Sequence, residues 1–147
     1  MHPKLICDEM AKLGSPIVMD GGNLYVENAD KVPAHDMDLA RSYKARIVKY
    51  LMGTYSDKEH ALRQTNDKII AFMLMENQDK TTEIKLDKWL TTDEHSYELV
   101  TRWLQKLAVN GWVDAQQSIA NYETLETDKI AVELFDRAMS FFKKVRA

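Results

Sequence analysis

Four histidines, one cysteine and the polar residues of one helix face between Glu94 and Lys106 are the side chains of this 147-residue chain best suited to chemistry. His2, His35, His60 and His95 are scattered along the chain. They match no metal spacing such as His-Glu-x-x-His, which sets two imidazoles on one helix face. His35-Asp36-x-Asp38 carries donors for a divalent ion, but the same residues serve as a polar cap for the helix that follows. Asp20-Gly21-Gly22-Asn23 lacks the lysine of a phosphate loop and reads as a hairpin turn. Cys7 falls in an apolar helical stripe, where a free thiol is normally inert core. As the one cysteine it can form no intrachain disulfide, which fits a reducing compartment. Carboxylates are plentiful, but nothing in the sequence pairs them. The expectation is a protein that binds rather than catalyses, with no metal and no cofactor.

The elements that must position these residues follow from apolar spacing and stop signals. A first helix is expected from Pro3 to Leu13, with proline at the first helical position and Gly14 as the stop. Cys7 lies on it, with Leu5, Ile6, Met10 and Leu13 near one face. Two extended runs, residues 16–20 and 23–27, flank Gly21-Gly22 and predict a β-hairpin. After Pro33 a second helix is expected from Asp36 to Met52, with Gly53 as its stop. The order is α-β-β-α within about 50 residues.

Ser56-Asp57-Lys58-Glu59 spells a capping box and opens a helix to about Glu76. A short extended piece over 81–85 and a single-turn helix over 86–90 are expected next. Thr91-Thr92-Asp93-Glu94 is a second capping-box spelling, opening a helix to Val109 that Asn110-Gly111 stops. Residues 112–117 and 121–125 read as two strands. A final amphipathic helix runs from Asp128 to about Lys144, carrying Ile130, Leu134, Phe135, Ala138, Met139, Phe141, Phe142 and Val145.

Two resemblances follow from these residues. Cys7 through Gly14, then Ile17 to Val26, then Leu39 through Leu51 resembles the αββα docking domain of the tubulysin-synthetase type. That family's pattern is a helix ending Leu-x-x-Leu-Gly, a strand, Asp-Gly-x-Leu, a strand, and a helix ending Lys-x-x-Leu/Ile-x-x-x-Leu. The longer, acidic loop at His35-Asp36 departs from it. The resemblance implies a small partner-binding module over residues 1–55; an αββα cap on the larger domain reads the residues equally well. Residues 56–147 resemble the winged-helix superfamily in three places. Leu99-Val100-Thr101-Arg102-Trp103-Leu104-Gln105-Lys106-Leu107 is similar to a recognition-helix run, Asn110-Gly111-Trp112-Val113 to the lead-in of a wing, and Tyr122-Glu123-Thr124-Leu125 to the segment before the last helix. The expected fold class is therefore α+β and mostly helical, a C-terminal winged helix preceded by a small αββα unit. Trp89, Trp103 and Trp112 are expected in one core, where a buried indole removes a large apolar area from water.

In a helix-turn-helix the start of the second helix faces the major groove. The winged-helix resemblance thus implies that His95, Ser96, Thr101, Arg102 and Gln105 read base edges, with Arg102 bidentate to guanine. Lys85, Lys88 and Lys106 would contact phosphate, as would a wing carrying Gln116 and Gln117. The expectation is a small cytoplasmic DNA-binding regulatory protein, of the kind found on mobile elements, acting on double-stranded DNA as a dimer. The alternative is a protein-interaction adaptor that uses a winged helix without nucleic acid, its partner taken by the N-terminal module or the last helix. A solvated polar face would account for residues 95–106 equally simply, and core packing for the last helix.

Charge favours neither extreme. Net charge is −3, with seven basic and eight acidic residues in 1–57 and thirteen and fifteen in 58–147. The basic stripe of a dedicated nucleic-acid binder, which supplies affinity through counterion release, is absent. The hydrophobic and charged fractions of 45% and 29% are those of an ordinary globule. No apolar run reaches the roughly 18–20 residues needed to span a bilayer, and the N-terminus lacks the apolar region of a signal peptide.

Overall fold

The computed structural model describes the backbone of residues 1–146 and the side chains of residues 1–143; the expected apolar role of Val145 lies outside the described side chains. It is α+β and mostly helical, with one two-stranded antiparallel sheet among the described residues. The contacts divide the chain into two compact units, residues 1–60 with 116–121, and residues 61–115 with 122–147.

The first unit opens with a helix and a β-hairpin, as expected, but two helices rather than one follow. Helix α1 (Pro3–Lys12) is capped by the His2 ring, whose Nδ1 accepts from the Lys4 amide at 3.0 Å. Strands β1 (Ile17–Asp20) and β2 (Asn23–Val26) pair with Ile17 opposite Val26 and Met19 opposite Leu24. Gly21 and Gly22 both take positive φ, as the tightest right-twisted hairpin turn demands. Ile6, Met10, Ala40 and Ile47 are buried at the centre, with Cys7, Ile17, Leu24 and Val26 packed against them. Burial, with Asp8 beside it, pushes the Cys7 thiol up, away from the reactive thiolate. Leu5, expected on the buried face, is exposed.

The single helix expected over 36–52 is two: α2 (Ala34–Ser42) and α3 (Lys44–Leu51). The break is at Tyr43, whose backbone leaves the helical region. Asn121 satisfies the backbone groups this frees, donating to the Arg41 carbonyl at 2.7 Å and accepting from the Ala45 amide at 3.0 Å.

Helix α4 (Asp57–Met73) starts as its capping box predicts, with the Glu59 amide donating to Ser56 Oγ at 3.1 Å. Glu59 also reaches Lys49 at 3.3 Å. In the second unit the expected strand and short helix over 81–90 are instead one helix, α5 (Lys80–Thr92). The β-branched run Thr81-Thr82 and Ile84 suggests extension, but Asp79 caps it, accepting from both the amide and the hydroxyl of Thr82. Helix α6 (Glu94–Val109) begins one residue after α5 ends, and its cap is Asp93 rather than Thr91. Thr91 Oγ1 donates to the Asp87 carbonyl instead. The last helix, α7 (Leu125–Arg146), packs against α6 and α5. Trp89, Trp103 and Trp112 are all buried, as expected.

Residues 112–124 correct the expectation of a wing. They form a loop with one 3-10 turn at Ala120–Tyr122, not two strands. Trp112, Ile119 and Ala120 of this loop are nonetheless buried. Asn110 Nδ2 donates to the Tyr122 carbonyl at 3.0 Å, so a side chain satisfies backbone where a ladder would have done so.

Candidate interaction surfaces

The residues expected to touch DNA are only partly brought together. His95, Arg102 and Gln105 recur at helical spacing and are exposed on α6, with Thr101 beside them. Carboxylates accompany them: His95 lies 4.0 Å from Glu98 and 3.6 Å from Glu133 of α7. Thr101 Oγ1 donates to the Tyr97 carbonyl at 3.1 Å. Lys106 turns to α7 and pairs with Glu126 at 3.2 Å. Lys85 and Lys88 are exposed on α5, a separate helix, and Gln116 and Gln117 sit in the loop that replaces the wing, within the first compact unit.

Ser96 is a correction. It is fully buried, with Oγ donating to Asp93 and accepting from Arg137 Nε at 2.8 Å. Arg137 also holds both Asp93 oxygens, at 2.8 and 2.9 Å. Burial pushes the Asp93 carboxyl up, but Ser96 and Arg137 outweigh it and hold the group below its ordinary value. The cluster locks the start of α6 to α7. Asp93-x-x-Ser96 is a cap spelling that could have been read; Arg137 and Glu133 had no sequence signal.

The first unit presents a different surface. Ile17, Leu24 and Val26 of the hairpin and Met37 and Ala40 of α2 line a groove of about 220 Å³, edged by Arg41 and Lys44. Both cations are exposed, and Arg41 makes only a loose surface pair with Asp38 at 3.7 Å. On the hairpin's other face the cross-strand pair Val18 and Tyr25 is 40% and 54% exposed. The sheet has two strands, so each has an edge without a strand neighbour. The hairpin and its apolar alternation were legible; the pairing of Met37 with two cations along the same groove was not.

At the other end of α1, the His2 ring stacks at 4.4 Å from His60, whose Nδ1 is 3.1 Å from the Tyr55 hydroxyl. Burial, then His2, the N-terminal amine and Arg46, lower the His60 pKa against the pull of Asp57. A neutral ring packed on aromatic neighbours fits a structural role. No group of three or more metal-ligating side chains occurs among the described residues.

Comparison of the chain with protein-family models, curated proteins and solved structures finds no match. No helix among the described residues is long and apolar enough to cross a membrane.

Proposed function

We propose that the protein is an adaptor whose first unit takes an apolar, acidic segment of a partner protein in the groove between the hairpin and α2. The groove itself carries the reading: an apolar floor with two exposed cations at its edge. Strand edges without a strand neighbour suit a partner that binds in extended form. The resemblance to a docking domain points the same way. Selection from a random peptide library displayed against the full chain should enrich segments mixing Asp or Glu with large apolar residues. The double variant Arg41→Glu, Lys44→Glu should lose that enrichment. Enrichment of basic segments, or enrichment unchanged in the variant, would overturn the proposal.

The outward stripe of His95, Arg102 and Gln105 favours a second reading, a dimeric regulator binding double-stranded DNA through a winged-helix-like α5–α6 pair. Glu94 and Glu98 on the same helix, the sealed Ser96 and the missing wing weigh against it. A low-salt mobility-shift assay decides: binding weakened by Arg102→Ala supports it, and no shift at low salt removes it.

A further inference from the structure

A second groove, in the other compact unit, has the opposite charge. The end of α4 and the start of α5 enclose an open cleft of about 450 Å³. Phe72, Met75 and Ile84 supply its apolar surface, and Glu76, Glu83 and Asp87 line it together with one cation, Lys80. Met75 is 91% exposed and Ile84 59%, so two of the three apolar side chains of the cleft stand largely in water.

Met75 is also where the backbone departs from its own rule. Helix α6 ends with Gly111 in the left-handed region, its amide bonded to the Ala108 carbonyl and the Trp112 amide to Leu107. Helix α4 ends in the same double bond pattern, Met75 to Phe72 and Glu76 to Ala71. Its left-handed residue is a methionine at φ 58°. A side chain at this position is disfavoured, because Cβ crowds the following carbonyl. Glycine would relieve that strain but would remove a thioether, an adaptable apolar contact found on surfaces that grip helices.

We propose that this cleft docks a basic amphipathic helix of a partner protein. Its apolar residues cover Phe72, Met75 and Ile84, and its lysines or arginines face Glu76, Glu83 and Asp87. The charge of the lining selects the partner: three carboxylates against one ammonium attract a cationic segment and repel an acidic one. The helix-in-groove mode supplies the apolar contacts.

The probe is a synthetic peptide with leucines at i, i+3, i+4 and i+7 spaced by lysines, titrated into the full chain at low salt. Binding is expected, and the same peptide with glutamate for lysine should not bind. Glu76→Lys with Asp87→Lys should weaken binding at least ~tenfold. Glu94→Lys with Glu98→Lys on α6 should leave it unchanged. Met75→Gly should raise the unfolding midpoint while weakening the peptide, a split that a purely structural methionine would not produce. The proposal is overturned by absence of binding at low salt, by equal loss in the α6 control, or by Met75→Gly leaving affinity intact. Self-association without peptide, abolished by the same charge reversal, would assign the cleft to a second copy and overturn it too.

Discussion

Among the described residues each compact unit buries one arginine, and the two make contacts of different reach. Arg46, in the first unit, lies over the ring of Tyr43 at 5.7 Å, three residues away in the chain. Arg63, in the second, is ion-paired with Glu123 and, at 2.9 Å, with Asp128, which lie 60 and 65 residues further on. The first contact is local and orders one helix start. The second closes a long loop and fixes where α7 begins relative to α4. The Arg63 pairs thus tie together stretches far apart in the chain, whereas the Arg46–Tyr43 contact stays within one helix start. That difference predicts where the chain is most sensitive to a single change.

The largest effect is expected at Arg63. Removing it takes away the buried cation that pairs with both Glu123 and Asp128, so Arg63→Ala should cost about 3–5 kcal/mol. Urea denaturation reads this directly. Replacing Arg63, Glu123 and Asp128 together with apolar residues of similar volume should recover much of the loss. If the triple variant is no better than the single one, the arginine acts through packing and the contrast with Arg46 collapses.

A smaller effect, with a sign set by pH, is expected at the Asp93–Ser96–Arg137 cluster. The Asp93 pKa is depressed in the folded protein, so its contribution is present above the ordinary carboxylate value near 3.8 and is lost as pH falls through the folded value. Hydrogen bonds to a charged group contribute about 1.5–3 kcal/mol. Asp93→Asn should lower stability at neutral pH by about that amount and flatten acid unfolding below the ordinary carboxylate value. Stability measured against pH for the two proteins checks it: parallel curves would mean that the carboxylate charge is not what locks α6 to α7.

The same contrast between local and distant partners governs how much of the fold could be read from sequence. Gly21-Gly22, the Ser56 cap, the C-terminal stops of α1 and α6 and the burial of three tryptophans were all legible, because each depends on residues within a few positions or on bulk apolar area. The break at Tyr43 was not, since the groups that satisfy it come from Asn121. Nor was the loop at 112–124, where Asn110 holds the Tyr122 carbonyl by a side chain that propensity reads only as a helix stop. Ser96 was misplaced for the same reason: its partner Arg137 is 41 residues away. The candidate grooves fare likewise. Their apolar walls follow from helix and strand period, but which charged residues border them depends on how neighbouring elements pack.

The smallest effect belongs to the local contact between Arg46 and Tyr43. If Arg46 is held partly by the face of the Tyr43 ring, Tyr43→Phe keeps that face and should be nearly neutral. Tyr43→Leu keeps apolar volume but removes the π-system, and should cost about 1 kcal/mol. Because Tyr43 also packs against the core of the first unit, the Phe variant is the necessary control for lost contact area. Equal losses in both variants would point to the hydroxyl instead of the ring. A loss at Leu comparable to that of Arg63→Ala would show that both units depend on their buried guanidinium alike, and that sequence distance between partners does not rank these contacts.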